Sequence, residues 1–228
     1  MTNADLPLRV ARPGKTLREL ALEKMREAIL AQYFKPGDRL VERDLCEQLG
    51  VSRTIVREVL RHLETEGLVS TYQARGPIVS RTTPEEALEI YEIRAALESI
   101  AARGCAERRD PLVVQRLQAG LDRIKAAYKI RDDAAVLNAT RGFYEDLFAA
   151  ARKPIAWGVV NTLTVRINHL RSLTIKTPGR DTTVPNEMQA MIDAIAAGDG
   201  EKAAAAAINH MLDASAIAQK LLETRAVG

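Results

Sequence analysis

Arginines recur at four-residue spacing in one short segment of the chain, at Arg53, Arg57 and Arg61. Side chains four residues apart lie on one face of a helix, so this spacing predicts a helix with guanidinium groups along one side. A guanidinium can bond to O6 and N7 of guanine together, or to a phosphate group. These arginines therefore predict recognition of DNA. Arg53 and Arg57 are expected to be the main base or phosphate contacts, and Arg61 is expected to be solvated.

The elements around these arginines predict a winged helix-turn-helix. A short helix over Glu42–Leu49 is followed by a turn at Gly50 and by a second helix over Ser52–Glu66. Two short strands, Leu68–Tyr72 and Pro77–Ser80, then form a hairpin, the wing. A motif of this order places its second helix in the major groove of DNA.

Seven residues of this motif are predicted to contact DNA. Ser52 caps the second helix, and its hydroxyl and that of Thr54 are placed to bond phosphates at the helix N-terminus. Arg43 begins the preceding helix, close to the DNA backbone. Gly76 lets the wing approach closely, so that the arginine before it can reach a phosphate or the minor groove. The predicted DNA-binding set is Arg43, Ser52, Arg53, Thr54, Arg57, Arg75 and Gly76.

The net charge of the chain is concentrated where these contacts are predicted. Residues 1–81 contain 14 Lys and Arg against 11 Asp and Glu, a difference of +3, whereas residues 82–228 contain 19 of each. Positive charge in the N-terminal third fits a surface that meets phosphates. No apolar run approaches the roughly 18 residues of a membrane span, and the first residues lack the apolar core of a signal peptide, so a cytoplasmic location without a membrane partner is expected.

The chain beyond the wing predicts helices throughout, so the fold class is mainly α. A flexible arm is expected over residues 1–15, the winged helix-turn-helix over 16–80, a linker over 81–84 and an all-helical bundle of six to seven helices over 85–228. The predicted helices of that bundle are Pro84–Arg108, Pro111–Lys129, Asp132–Arg152, Pro154–Thr177, Val184–Ala197 and Asp199–Ala226.

Local signals set the expected ends of several elements. Thr16 can cap a first helix that runs to about Tyr33, and Arg39–Val41 has the character of a short strand. Thr83 and Glu86 form a capping-box pattern at the start of the helical bundle.

A pattern known from one protein family runs through the N-terminal motif: Pro36-Gly37-Asp38-Arg39-Leu40, Glu42, Leu45, Leu49-Gly50-Val51-Ser52-Arg53-Thr54, Val56-Arg57-Glu58, Leu60, Leu63, Glu66-Gly67-Leu68 and Arg75-Gly76. In these residues the motif resembles the GntR family of bacterial transcription regulators. Cys46, Ile55 and Val59 depart from the pattern but keep size or helix-forming character. The resemblance implies that the family's DNA contacts fall here on Arg43, Arg53, Thr54, Arg57 and the Arg75-Gly76 wing.

Two patterns in the C-terminal residues extend the resemblance. The first pattern lies near the start of this C-terminal part and consists of Tyr91-Glu92-Ile93-Arg94 with Leu97-Glu98. The second lies near its end and consists of Ala194-Ile195-Ala196-Ala197-Gly198-Asp199 with Asn209-His210-Met211. Residues 84–226 are thereby similar to the all-helical effector domain called FCD, in its shorter VanR-like form. This resemblance implies a domain that binds a small organic acid.

The FCD resemblance also implies where a divalent metal would be held, by one Asp and three His. The Asp position is occupied here by Thr140, and the three His positions by Tyr144, Met188 and His210. Three of the four ligands are thus replaced, and a lone imidazole cannot fix a metal ion. No metal or other cofactor is expected, although His169 stays open as a substitute ligand from another helix.

Without a metal, the carboxylate of an organic acid needs Arg, His or Tyr side chains. Arg141 on the third bundle helix is a further candidate for this task. Arg166 and His169 are three residues apart, hence on one helix face, but the sequence does not say which way that face points. The predicted effector-binding set is Arg94, Tyr144, Arg166, His169, Met188 and His210.

The sequence therefore predicts a homodimeric transcription regulator that reads an inverted-repeat operator in double-stranded DNA and responds to a small carboxylic acid. The resemblance favours a repressor of a catabolic operon. An alternative is that the helical domain only dimerises and has no effector. An enzyme fused to a DNA-binding domain is disfavoured, because the sequence lacks a nucleophile with nearby His and acid, a Gly-rich phosphate loop and an HExxH motif.

Overall fold

The computed structural model describes residues 14–31, 33–72 and 76–226, without the side chains of 225 and 226. The chain divides into two compact units, Met1–Val79 and Ser80–Gly228. Helices dominate both, and a single two-stranded sheet accompanies them in the described residues. The predicted fold class, mainly α with a small wing, is confirmed.

In the residues that the structure describes, the N-terminal unit contains three helices and a hairpin. The helices are α1 (Leu17–Leu30), α2 (Glu42–Leu49) and α3 (Arg53–Thr65), and the strands are β1 (Val69–Tyr72) and β2 (Gly76–Val79). The strands pair antiparallel, with Val69 opposite Val79 and Tyr72 opposite Gly76. The core beneath the hairpin and helices is built from Met25, Ile29, Leu40, Leu45, Val56, Val59, Leu60, Leu63, Leu68 and Val79.

Two expectations for this unit were wrong in detail. Helix α1 ends at Leu30, before Tyr33, because the chain must turn at Lys35 and Asp38 to bury Leu40; the Asp38 carboxylate accepts a bond from the Lys35 amide at 2.7 Å. The strand expected over residues 39–41 is reduced to one bridge between Arg39 and Ile78. The bridge does not extend into a strand because α2 begins at residue 42.

The C-terminal unit contains seven helices in the part that the structure describes. They are α4 (Pro84–Arg108), α5 (Pro111–Lys129), α6 (Asp133–Ala150), α7 (Pro154–Thr162), α8 (Thr164–Thr174), α9 (Arg180–Ala197) and α10 (Gly200–Ala226). Thr83 caps α4 in a complete capping box with Glu86. Phe143, Phe148, Leu117, Leu121, Ile124 and Leu147 are the large side chains at the centre of this unit.

Small residues let α4 and α10 pack closely. Buried alanines recur along α10 at Ala203, Ala207, Ala214 and Ala218, which is helical spacing, and α4 presents Ala101, Ala102, Cys105 and Ala106. Side chains of one carbon allow two helix backbones to approach with little space between them. The alanine run at 203–207 is therefore a packing surface.

The helix predicted over Pro154–Thr177 is two helices, so this prediction was wrong. Leu163 ends α7 and α8 begins at the next residue. The Thr162 hydroxyl donates to the Val159 carbonyl at 2.6 Å, and the Thr164 hydroxyl donates to the Asn161 side chain at 3.1 Å. Side chains that bond back in this way compete with the helical ladder and favour a break.

Helix α9 begins four residues before the predicted Val184. The additional turn is stabilised by Arg180, which is buried and forms an ion pair at 3.4 Å with Glu187, two turns further along. Pro185 is accommodated inside the helix. Among the described residues, no helix combines the length and the apolar character that crossing a membrane requires.

Candidate DNA-binding surface and effector cavity

Helix α3 is oriented by its apolar face. Val56, Val59, Leu60 and Leu63 are buried, so the opposite side, with Arg53, Thr54, Arg57 and Arg61, is exposed. Ser52 caps the helix by accepting from the Ile55 amide at 3.4 Å. Gly50 has φ 64°, a left-handed conformation that glycine adopts without strain, and thereby makes the turn between α2 and α3.

Glu42, at the start of α2, brings two of the predicted DNA contacts together. Its carboxylate accepts from the Arg57 Nε at 2.9 and 3.0 Å and lies 3.3 Å from the Arg53 Nε. The hydrogen bond that Arg57 donates to Glu42 raises the pKa of Arg57. Two guanidinium groups thus share one carboxylate on an exposed surface. In the sequence, Glu42 stands out only as a residue of the GntR-like pattern, because a pairing between two helices leaves no local signal.

The other predicted DNA contacts occupy exposed positions or the wing. Arg43 is exposed and lies 3.3 Å from the Asp44 carboxylate. Thr54 is exposed in the first turn of α3. Gly76 begins β2 with φ 71°. Arg75 lies outside the described residues.

A cavity of about 20 Å³ lies inside the C-terminal unit. Helix α4 contributes Arg94 and Glu98, and α6 contributes Arg141 and Tyr144. The remaining lining residues come from α7 and α8: Trp157, Val160, Thr164, Ile167, Asn168 and Arg171. This volume suffices for one water-sized molecule. Of the six predicted effector contacts, only Arg94 and Tyr144 line it.

Four of the ten residues that line the cavity are charged. Arg94 and Glu98 form a buried ion pair with the Arg94 Nε 2.8 Å from the Glu98 Oε1. Arg171 is partly buried, and its guanidinium bonds to the Asn168 side chain at 3.3 Å. Burial, followed by the charge of Arg94, lowers the pKa of Arg171 to about 10, so it remains a cation near neutral pH. With Arg141, whose side chain is exposed, the lining includes three arginines and one carboxylate.

Tyr144 lies between two of these cations. Its ring centroid is 5.4 Å from the guanidinium carbon of Arg94 and 5.9 Å from that of Arg171. Burial, with a further contribution from Glu98, raises the pKa of the Tyr144 phenol, which therefore stays neutral. Among the described residues, neither the Tyr144 hydroxyl nor the Glu98 Oε2 forms a hydrogen bond of good geometry, but a hydrogen-bond interaction between these two side chains contributes to the raised pKa of the phenol.

Four predicted effector contacts lie away from the cavity. On α8, the lining residues Thr164, Ile167, Asn168 and Arg171 follow helical spacing on one face, and Arg166 and His169 lie on others. Met188 is fully buried in the apolar core. His210 lines a separate open groove of about 630 Å³ between α9 and α10, where its Nδ1 lies 2.5 Å from the Glu187 carboxylate. Spacing in the sequence does not show which side of α8 lines the cavity, because packing sets that side.

The positions that would hold a divalent metal do not suit one. The Thr140 hydroxyl donates to the Val136 carbonyl at 2.7 Å, and Tyr144 is a neutral phenol. Met188 offers only a thioether inside apolar packing, and His210 is already paired with Glu187. In the described ranges, no group of three or more His, Cys, Asp or Glu is arranged to hold a metal ion. This donor set does not fit Zn²⁺ or Mn²⁺.

Known proteins match both units. The family model "Bacterial regulatory proteins, gntR family" matches residues 17–79, and the model "FCD domain" matches residues 89–213. An uncharacterized HTH-type transcriptional regulator of Mycobacterium tuberculosis is 30% identical over 210 residues, 84% of each chain. The HTH-type transcriptional regulator McbR of Escherichia coli is 32% identical over 134 residues, 59% of this chain and 61% of that protein.

Solved structures share the fold. A putative transcriptional regulator GntR from Rhodococcus sp. RHA1 has a TM-score of 0.73 at 26% identity, over 87% of this chain and 95% of that chain. E. coli McbR/YncC has a TM-score of 0.71 at 24% identity, over 91% and 99%. Both family models, the relatives and the predicted resemblance agree. The chain belongs to the FCD subfamily of the GntR family of bacterial transcriptional regulators and is a DNA-binding regulator, not an enzyme.

Proposed function

We propose that the protein is a homodimeric repressor of a catabolic operon, released from its operator by a small carboxylic acid that binds the helical unit without a metal ion. It would act in the cytoplasm, where the chromosome lies. The observation that carries this proposal is the cavity whose lining includes three arginines, Arg94, Arg141 and Arg171, and one carboxylate, Glu98. An excess of guanidinium groups around one site favours an anionic ligand.

The exposed arginines of α3 support the DNA-binding half of the proposal. Arg53 and Arg57 are held side by side by Glu42, at the N-terminal end of the helix that enters the major groove. A two-fold dimer presents two such helices, so its site is an inverted repeat. An acid that binds one dimer form better than the other shifts operator affinity by its differential affinity.

The test begins with an operator selected by the wild-type protein from a random-sequence DNA library. Its affinity is then measured by fluorescence anisotropy, in the presence of EDTA, against a panel of small carboxylic acids. The proposal expects at least one acid to weaken operator binding, with an inverted repeat in the selected DNA. Selected sites without two-fold symmetry, or binding that only zinc or nickel makes acid-sensitive, would contradict it.

A second candidate is that the helical unit serves dimerisation alone. The small cavity favours this reading, because about 20 Å³ is far below the several hundred Å³ of ordinary ligand pockets. Under this alternative, operator affinity is the same with every acid, and sedimentation analysis finds a dimer that no acid alters.

A further inference from the structure

Helix α7 is apolar on nearly all sides, yet only one of its residues is buried. Its nine residues include no charged side chain, and Val160 alone among them is buried. Ile155 is 84% exposed and Val159 is 44% exposed. A helix that is apolar all round is normally buried, so these exposed side chains indicate a surface that another molecule covers.

Helix α4, which contacts α7, continues this apolar surface. Ala96 and Ile100 are exposed in its middle, and Ile100 is 42% exposed. Gly104 lies one turn further along, and a Cβ atom there would be 3.9 Å from the Cε of Lys153, the residue before α7. The exposed side of α4 and the exposed side chains of α7 are therefore neighbours.

Helix α10 borders the exposed side of α4 on its other flank. The Arg103 guanidinium donates to the Glu201 carboxylate at 2.9 Å, so the end of α4 lies beside the start of α10 and the two helices run antiparallel. Arg103 and Gly104 are successive residues and point about 100° apart around α4. The exposed apolar positions of α4 lie between these two directions, with α10 on one side and α7 on the other.

Exposed apolar side chains of α10 lie level with the middle of α4. Ile208 is 38% exposed and Leu212 is 56% exposed. Counted from the Arg103–Glu201 pair, Ile208 and Ala96 each stand about 10 Å along their helices. We call the exposed apolar surface of these three helices the α4 face, and it consists of Ala96, Ile100, Ile155, Val159, Ile208 and Leu212.

The charges along the exposed side of α4 make this side complementary to itself. Glu85, Glu89 and Glu92 precede Ala96 at spacings of three and four residues, and Arg103 follows it. Glu89 and Arg103 stand at equal distances on either side of Ala96. When two copies of α4 cross antiparallel at Ala96, each Glu89 therefore meets Arg103 of the partner subunit.

We infer that two copies of the chain pair through the α4 face, with their α4 helices antiparallel and the two-fold axis at Ala96. A two-fold interface is self-complementary, so each copy presents both members of every contact. The charges of α4 meet this condition, which binding of an unrelated protein would not require. The small side chain of Ala96 permits close approach where the helices cross. This inference rests on the proposed function only in taking the regulator as a dimer.

The position of the axis is tested by cross-linking the full-length protein through Ala96→Cys, in a Cys46→Ala background that leaves only the buried thiol of Cys105. Mild oxidation should join most chains into disulfide-linked dimers, because the two new thiols face each other across the axis. Ala126→Cys is the control, since it places a thiol on an exposed position of α5 outside the α4 face. Equally fast cross-linking of the control would remove the assignment of the axis.

The apolar part of the face is tested by sedimentation equilibrium. Ile100→Glu with Leu212→Glu buries unpaired charges in the interface and should raise the dimer dissociation constant by about 100-fold or more. Leu112→Glu with Ile130→Glu is the matched control, because these side chains are 64% and 70% exposed on α5, and it should leave the constant unchanged. All four positions are exposed, and circular dichroism checks that each variant folds.

The charged part is tested by exchanging the two signs. Glu89→Arg alone and Arg103→Glu alone place like charges opposite each other and should each weaken pairing by about threefold to tenfold. The double variant restores opposite charges and should return to within about threefold of the wild type. A role of either residue within its own subunit would not be restored in this way.

The outcomes separate this inference from the proposed function. A dimer that survives Ile100→Glu with Leu212→Glu and does not cross-link at residue 96 would overturn the α4 face and keep the homodimer. A wild-type protein that is monomeric at concentrations at which it binds its operator would overturn both. Cross-linking at residue 96, with operator affinity unmoved by every acid, would keep the interface and remove the proposed regulation.

Discussion

The DNA-binding surface and the proposed effector cavity both pair arginine with a carboxylate, but in opposite surroundings. On the surface, Glu42 lies between Arg53 and Arg57, whose side chains are 62% and 57% exposed. In the cavity, Glu98 holds Arg94 with both side chains almost completely buried. The difference in solvent access decides what each arrangement can do.

An exposed ion pair contributes little free energy, because water and salt compete with it, and its members exchange partners readily. A buried pair is costly to break, because one partner is left as an uncompensated charge. Glu42 can therefore hold its arginines in place and release them to DNA, whereas Glu98 keeps its arginine permanently. Four measurements break or sharpen this comparison.

The largest effect is expected from the buried pair. Arg94→Met leaves the Glu98 carboxylate buried without its partner and should lower the free energy of unfolding by about 3–5 kcal/mol. Urea unfolding followed by the fluorescence of Trp157, the single tryptophan, reports on the helical unit directly. Arg103→Met is the control, since its partner Glu201 is 83% exposed, and should change stability far less. Equal effects of the two variants would mean that burial does not distinguish the pairs.

The second effect concerns operator affinity. Arg53→Ala with Arg57→Ala should weaken binding to the selected operator by about 100-fold or more, because each guanidinium that reads a base contributes one to two powers of ten. Arg61→Ala, on the same exposed face further along α3, should stay within about threefold. Unchanged operator affinity in the double variant would remove both proposed contacts.

Glu42→Gln should change specificity more than stability. Removing the carboxylate frees both arginines and adds one positive charge, so affinity for random-sequence DNA should rise by about threefold to tenfold and depend more steeply on salt. Operator affinity should rise less, because the arginines lose their fixed position. Glu47→Gln, an exposed glutamate on the same helix, is the control. If the ratio of operator affinity to random-sequence affinity in Glu42→Gln equals that of the wild type, Glu42 does not position the arginines.

The smallest effect compares the two cysteines, one in each unit. Cys46 is partly buried, whereas Cys105 is buried, and burial raises the pKa of its thiol from 9.0 to about 12. Near neutral pH a thiol reagent should label Cys46 alone in the folded protein. Between pH 9.0 and 12 the unfolded chain loses this proton first, so stability falls with rising pH and Cys105→Ala should reduce that fall. Rapid labelling of both cysteines would show that the helical unit opens readily.

The sequence predicts what local signals determine. Thr16, Ser52 and Thr83 cap their helices as their side-chain chemistry requires, and glycine turns separate α2 from α3. The fold class and the family follow from these patterns. The sequence does not show which side chains pair between different helices. The role of Glu42 depends on how α2 crosses α3, and the spacing of residues within either helix does not reveal that.

The lining of the proposed effector cavity was predicted only in part for a similar reason. Arg94 and Tyr144 line it, as the family resemblance implied. On α8, however, the cavity is lined by Arg171, which the sequence did not indicate, and not by the predicted Arg166 and His169. The sequence pattern shows which residues share a face, but the phase of α8 follows from the break at Leu163, and a break made by threonine hydroxyls carries no proline or glycine to mark it.

That break at Leu163 also bears on how relatives of this protein could diverge. In a continuous helix, each inserted residue would rotate everything beyond it by about 100° and disturb the whole bundle. A junction between two short helices can absorb a length change and turn α8 alone. Asn168 and Arg171 are among the side chains that α8 presents to the cavity. One inserted residue could rotate α8 so that other side chains of the same helix line the cavity, and ligand preference would change without any substitution in α8.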